Sequence, residues 1–247
     1  MDTEYFETAH GRRLAFRYTA PKKGPTYVWL SGFKSDMSGS KVTVLEAWAK
    51  AQGYGFLAFD YSGHGLSDGK FEDGTISAWR EDAMAAIEAQ TAGDLVLVGS
   101  SMGGWMALLS ALELGARVKG MVLIAPAPDF TQKLMWPEFS FEQQAEIMGQ
   151  GLTLRPSDYD EPYAITRALI VDGQNWSLLD APIELNMPIR ILQGMQDADV
   201  PWQHAMRLVD TLTSEDVVFS LIKDGDHRLS REQDIARLVE TCAGLAG

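Results

Sequence analysis

From Leu95 to Leu112 the chain carries no charge, yet Gly99-Ser100-Ser101-Met102-Gly103-Gly104 interrupts the run in its middle. At about 18 residues the stretch approaches the length of a membrane span. A spanning helix would be broken by that cluster of glycine and serine, whereas a buried strand, a tight turn and a buried helix accommodate it. Leu95–Val98 then reads as the strand, and Trp105, Leu108, Leu109 and Leu112 as the buried face of the helix. The turn between them has the form Gly-x-Ser-x-Gly. In that context Ser101 sits on a strained backbone at the sheet edge, at the positive end of a helix, where a hydroxyl is presented as a nucleophile.

The surrounding pattern extends this local reading to the whole chain. Short apolar runs at Tyr27–Leu30, Phe56–Phe59, Leu95–Val98, Met121–Ile124, Ile189–Leu192 and Val217–Ile222 are too continuous in apolar residues for strands with one wet face. They read as central strands of a mostly parallel sheet. Helical stretches near 42–51, 76–89, 105–114 and 204–212, and a C-terminal helix, alternate with them. A hairpin over Glu4–Thr8 and Arg13–Tyr18 brings the expected total to eight strands. The expected fold is therefore α/β, a mostly parallel eight-stranded sheet with helices on both faces. A chain of 247 residues suits one such domain over 1–247. Between Ala127 and Met187 the alternation stops, and Phe130, Met135, Trp136, Phe139, Phe141, Met148, Trp176 and Leu178 are mixed with Pro137, Pro156, Pro162 and Pro182. This segment, 127–187, is expected to be an insertion of short helices forming a small cap over the carboxyl edge of the sheet. Trp136 and Trp176 within it, and Trp202 beyond it, are the candidate substrate-binding residues.

A formal net charge of −13 argues against a nucleic-acid partner. The single cysteine, Cys242, excludes an intramolecular disulfide and a Cys-rich zinc site, and its spacing with Ile235, Leu238 and Val239 makes it a buried thiol. The first residues are acidic and polar, unlike a signal peptide, so a cytoplasmic location without a transmembrane segment is expected.

A serine hydroxyl needs a base. Of the four histidines, His10 lies in the hairpin turn, His204 on a helix and His64 in a glycine-rich loop where a solvated role is expected. His227 follows the last strand at the carboxyl edge and is the candidate base. The acid is sought in Gly194-Met195-Gln196-Asp197-Ala198-Asp199-Val200-Pro201; Asp197, nearer the strand end, is favoured, with Asp199 left to cap the next helix. Asp226, beside the base, is expected to be solvated. The oxyanion donors are expected to be the backbone N–H groups of Met102 and, after the first core strand, of Phe33, with Gly32 allowing the turn.

Phe59-Asp60-Tyr61-Ser62-Gly63, Gly99-Ser100-Ser101-Met102-Gly103-Gly104-Trp105, Pro188-Ile189-Arg190, Val200-Pro201-Trp202 and Asp226-His227-Arg228 resemble the α/β-hydrolase superfamily, and within it the mitochondrial palmitoyl-protein thioesterase of the α/β-hydrolase-domain proteins. The resemblance covers essentially the whole chain. It implies removal of acyl groups from cysteine thioesters, hydrolysis of acyl glucuronides, and a Ser, Asp, His set carried onto Ser101, Asp197 and His227. Two departures are visible: Ser31-Gly32 stands where hydrolases commonly have His-Gly, and the strongly acidic chain lacks an Arg-rich, acid-poor leader, which points to a bacterial-type relative.

The expected activity is a serine esterase or thioesterase, palmitoyl-protein thioesterase-like, that uses no cofactor and no metal. Its substrates would be small-molecule esters, acyl thioesters or acylated proteins. A small-molecule carboxylesterase, and a ligand-sensing protein of hydrolase fold with little turnover, are the alternatives.

Overall fold

The computed structural model describes residues 2–155 and 162–245; Pro156 lies outside them. The strands are β1 (Glu4–Glu7), β2 (Arg13–Thr19), β3 (Thr26–Leu30), β4 (Gly55–Phe59), β5 (Leu95–Ser100), β6 (Val118–Ile124), β7 (Leu152–Arg155), β8 (Tyr163–Thr166), β9 (Ile189–Gly194) and β10 (Val217–Ile222). The helices are α1 (Ser40–Gln52), α2 (Ile76–Gln90), α3 (Met102–Leu114), α4 (Trp136–Glu138), α5 (Phe141–Gln150), α6 (Arg167–Gly173), α7 (Trp202–Thr211) and α8 (Glu232–Ala243). All strands but β7 and β8 form one sheet in the order β1-β2-β4-β3-β5-β6-β9-β10. The pairings β1 with β2 and β2 with β4 are antiparallel, and the others are parallel.

Strand periodicity divides the interior into two layers. Val28, Leu30, Leu57, Phe59, Leu95 and Leu97 face one side, where they meet Trp79 of α2 and Trp105 and Leu108 of α3. Their neighbours Tyr27, Trp29, Phe56, Ala58, Val96 and Val98 face the other, against Leu45 of α1 and Leu238 and Cys242 of α8. Every residue of β3, β4 and β5 is buried, as their continuous apolar sequence requires. Cys242 is fully buried, and desolvation pushes its thiol pKa up. No helix among the described residues is long and apolar enough to cross a membrane.

Val217–Ile222 departs from the expected central position. It is the outer strand β10, paired only with β9, and Val218 and Leu221 are exposed. Its apolar run resembles a central strand because alternate residues still pack inward.

The segment between β6 and β9 holds short helices, as expected, and also an antiparallel ladder of β7 with β8. Thr153 and Ile165, directly paired in it, are buried, so β-branched side chains on one face give these four-residue strands their footing. One carboxylate closes the segment on itself and another ties it to the body. Buried Asp129 accepts the N–H groups of Leu178 and Leu179, and Asp172 accepts the N–H and hydroxyl of Ser77 at the start of α2.

β3 lies between β4 and β5, so the chain winds outward on one side of β3 and then crosses to the other. At such a switch point the loops leaving the two strands part and open a crevice at the carboxyl edge.

Candidate active site

The crevice is lined by the turns that leave β3 and β5. In the second turn Ser101 has φ 55° and ψ −118°, a left-handed conformation that strains a residue with a side chain. Backbone contacts enforce it: the Ser101 N–H donates to the Ile124 carbonyl at 2.9 Å, and its carbonyl accepts from Gly104 at 2.9 Å and Ala127 at 3.1 Å. Gly103 is required by close approach, since a Cβ there would run into the Leu30 carbonyl.

Two further loops converge on Ser101. His227 Nε2 is 3.1 Å from Ser101 Oγ, and His227 Nδ1 is 2.8 Å from Asp197 Oδ2. A carboxylate oxygen only accepts, so Nδ1 carries the proton and Nε2 presents its lone pair to the serine. The other Asp197 oxygen accepts the N–H groups of Asp199 at 3.0 Å and Val200 at 2.8 Å, which fixes the carboxylate plane. Gln196 N–H donates to the Gly225 carbonyl at 2.9 Å, joining the loop of the acid to that of the histidine. The Asp197 side chain is fully buried and that of His227 is 23% exposed, so the histidine alone of the two reaches the crevice.

Asp199 does not cap α7. That helix begins after Pro201 without a side-chain cap, and Asp199 lines the crevice instead. Ligand atoms of Asp197, Asp199 and His227 lie within 4.8 Å of one another, a spacing that a metal ion could use. Asp197 is already engaged by three backbone or ring donors and by Gln193 Nε2, so its lone pairs are directed at protein groups rather than at an open position. Asp226 is exposed and accepts the Leu229 N–H.

The first N–H of α3, from Met102, has no intrahelical acceptor. Neither it nor the Phe33 N–H has a hydrogen-bond partner among the described residues. Gly32 brings the Phe33 turn against Ser101: a Cβ on Gly32 would stand 3.2 Å from the Ser100 carbonyl oxygen and 3.4 Å from Ser101 Cβ.

These groups open into a pocket of about 480 Å³. Phe33, Met102, Phe130, Leu134, Met135 and Val200 supply apolar wall, and Lys34, Lys41, Arg155 and Arg228 supply cationic groups in an otherwise acidic protein. Arg155 pairs with Glu138 at 2.8 Å, and Lys41 Nζ donates to the Arg228 carbonyl. Burial lowers the Lys41 pKa to about 8.

Trp136, Trp176 and Trp202 are not among the residues that line this pocket. Trp176 is held elsewhere, with Nε1 donating to Ser77 Oγ and its ring beneath the Arg80 guanidinium. Trp136 packs edge-to-face on Phe139, and Trp202 is half-buried at the start of α7. The wall comes instead from Phe130, Leu134 and Met135, which follow β6 directly; nearness to a strand's carboxyl end was the usable signal, and aromatic size was not. His64 is also placed differently from expectation. It is 4% exposed, enclosed by Tyr61, Phe71 and Trp79. Gln193, wholly buried beside Asp197, adds to the site beyond the residues expected from the sequence, and its signal there is a polar residue closing the apolar run Ile189–Leu192.

The profile of the alpha/beta hydrolase family matches residues 27–241. The human palmitoyl-protein thioesterase ABHD10, a mitochondrial protein, is 36% identical over 225 residues, 90% of this chain and 73% of the relative. A crystal structure of a protein from Agrobacterium vitis S4 superposes with a TM-score of 0.96 at 43% identity, covering 100% of this chain and 99% of its own. Mouse alpha/beta hydrolase domain-containing protein 10 gives 0.91 at 33% identity, covering 99% and 98%. With the sheet order, the turn after β5 and a family profile spanning most of its length, the chain belongs to the alpha/beta hydrolase family.

Proposed function

We propose that this protein is a serine hydrolase that cleaves carboxylic esters and thioesters through an acyl-enzyme, with acylated proteins among its substrates. One observation carries the reading: the hydrogen-bonded series Asp197, His227, Ser101 stands beside two N–H groups, of Phe33 and Met102, that have no other partner among the described residues. The relationship to ABHD10, a palmitoyl-protein thioesterase by name, supports the choice of acyl substrates.

In this reading His227 Nε2 takes the Ser101 Oγ proton as Oγ bonds to the acyl carbon. The carbonyl electrons move onto oxygen, and the Phe33 and Met102 N–H groups hold the oxyanion. Asp197 keeps His227 in the Nδ1–H tautomer and offsets the charge of the imidazolium. The imidazolium proton then passes to the departing alkoxide; a thiolate leaves with less help. Water, deprotonated by His227, attacks the acyl-enzyme and Ser101 Oγ recovers the proton. Residues 127–187 act as a cap on a single domain, their Phe130, Leu134 and Met135 forming the acyl side of the pocket. A cytoplasmic location accompanies this reading, whereas the human relative is mitochondrial by name.

The test is a series of thioesters from about two to sixteen carbons with matched esters, each methylene being worth about 0.8 kcal/mol where it is buried. The wild type should turn over repeatedly, kcat/KM should rise roughly tenfold per two fully buried carbons until the pocket ends, and a fluorophosphonate probe should label Ser101. Ser101→Ala should lose labelling and hydrolysis together. Labelling retained in that variant removes Ser101 as nucleophile. A flat profile beyond acetyl without thioester cleavage leaves a small-ester carboxylesterase, and a single turnover favours the ligand-sensing alternative.

A further inference from the structure

We propose that His64 is a positioning residue for the oxyanion turn: its Nε2 accepts the Lys34 N–H and so holds the adjoining Phe33 N–H toward the acyl carbonyl. The inference rests on the serine-hydrolase reading above and adds to it a group that touches neither substrate nor nucleophile.

Lys34 N–H lies 3.2 Å from His64 Nε2, and His64 Nδ1 lies 3.2 Å from the Ser62 carbonyl oxygen. A backbone N–H can only donate and a carbonyl can only accept. Both contacts therefore demand one tautomer, with the proton on Nδ1 and a lone pair on Nε2. The ring is held against rotation by Tyr61, Phe71 and Trp79, at centroid distances of 5.7, 5.3 and 5.2 Å. Its own loop is anchored in turn. Ser62 N–H and Oγ donate to buried Asp82 at 2.9 and 2.6 Å, and Trp79 Nε1 donates to the Ser62 carbonyl at 3.2 Å. The charged or titratable groups facing the imidazole are Asp82 from α2, Asp36 and Lys34 from the segment after β3, and Tyr61 from its own loop. Burial is the dominant influence and keeps the ring neutral, as an acceptor at Nε2 must be.

The turn needs such a hold. Lys34 has φ 54°, a left-handed conformation that a lysine does not adopt by preference. Within the turn, the Ser35 N–H donates to the Gly32 carbonyl at 3.1 Å. The His64 bond reaches in from the loop after β4, a separate strand, and fixes the peptide unit immediately beyond Phe33. Donors to a developing oxyanion act by being fixed before the charge appears, so slackening this turn should lower kcat more than it raises KM.

The experiment compares His64→Phe, which fills the volume without an acceptor, with His64→Gln, whose Oε1 reaches the place of Nε2 and accepts the same N–H. With p-nitrophenyl butyrate, His64→Phe should lower kcat at least about tenfold with KM within about threefold of wild type, and His64→Gln should restore most of the loss. Hydrogen exchange of the Lys34 amide should speed up in the Phe variant and return toward wild type in the Gln variant. Unchanged kcat in a folded His64→Phe overturns the proposal, as does a Gln variant as slow as the Phe variant. Should His64→Phe fail to fold, His64→Gln decides alone: kcat more than about tenfold below wild type overturns it. Absence of ester hydrolysis by the wild type would defeat the serine-hydrolase reading instead, and Lys34 exchange in the two variants would still decide whether His64 holds the turn.

Discussion

Gln193 Nε2 lies 3.0 Å from Asp197 Oδ2, the same oxygen that meets His227 Nδ1. Gln193 also donates to the carbonyls of Gly194 and Val200, so one amide ties the end of β9 to both ends of the loop that carries Asp197. Its Oε1 is buried without a partner among the described residues, so the residue acts here through its donors. Gln193→Leu keeps the volume and removes them. A hydrogen bond to a charged group contributes about 1.5–3 kcal/mol, so kcat should fall roughly tenfold to a hundredfold with little change in KM. Steady-state kinetics beside a thermal melt check this; unchanged kcat would show that the backbone donors of Asp199 and Val200 suffice to hold Asp197.

The two acids of the same loop should differ sharply. Asp197→Asn leaves the carboxylate position filled but favours the wrong His227 tautomer, and turnover should fall by up to about 10⁴-fold. Asp199, which neither touches His227 by a hydrogen bond nor caps α7, should tolerate Asn with a change of no more than about threefold in kcat. A reversed order would move the acid to Asp199.

Ser101, His227 and Asp197 were legible because each sits where a strand ends, and a strand's end is set by local apolar runs and glycines. What encloses a side chain is not local in this sense. His64 sits in a glycine-rich loop, the sequence signature of a solvated residue, yet Phe71 and Trp79 close over it from the turn and helix beyond. Trp176 illustrates the converse: its large apolar body suggested a pocket wall, but its indole N–H and the Arg80 cation turn it to the flank of α2. The β7 and β8 ladder is not legible in the sequence because four-residue strands leave too short a pattern to separate from a loop.

The backbone of Ser101 yields a stability prediction independent of chemistry. A non-glycine residue in this conformation stores about 1–3 kcal/mol of strain. Ser101→Ala retains that strain and Ser101→Gly releases it, at an entropic cost to the folded state of about 0.5–1 kcal/mol. Ser101→Gly should therefore melt roughly 2–4 °C above Ser101→Ala, from a net difference near 1 kcal/mol. A calorimetric scan of the two inactive variants decides it, and an alanine variant that is equally stable would mean that the elbow is relaxed in solution.

Acid sensitivity of the fold should come in part from His204. Its Nε2 donates to the Pro128 carbonyl at 2.8 Å, and burial, with Arg207 and Lys133 nearby, outweighs the Pro128 bond and Asp129 and lowers its pKa from 6.5. His64 is shifted the same way. A depressed folded value means that the unfolded chain binds the proton first, so this stability is present above pH 6.5 and is lost as pH falls through the folded value. Asp60 has the opposite sign: burial raises its pKa above 3.8, so its contribution is present at low pH and lost as pH rises through the raised value. Gln at position 204 can donate to Pro128 but cannot titrate. The fall in Tm between about pH 7 and 5 should be shallower in His204→Gln than in wild type, and parallel curves would exclude His204 as a contributor.

The acyl side of the pocket can be tested by filling it. Leu134 lies in the short π-helix Thr131–Met135 and lines the pocket with Phe130 and Met135. If acyl chains run along this wall, Leu134→Trp occupies room that later methylenes would use while leaving Ser101, His227 and the Phe33 and Met102 donors untouched. Hydrolysis of an acetyl ester should stay within about twofold of wild type, because the first carbons do not reach the substituted position. For chains of about ten carbons and longer, kcat/KM should fall at least about tenfold, the loss of roughly two buried methylenes at about 0.8 kcal/mol each. The optimum of the chain-length profile should therefore shift to shorter chains with its short-chain limb unchanged. A uniform loss at every length would indicate a disturbed turn rather than a blocked channel, and an unchanged profile would place the acyl chain on another wall. In the second case Phe130 and Met135, beside Leu134 on that wall, would cease to be the residues that set chain length.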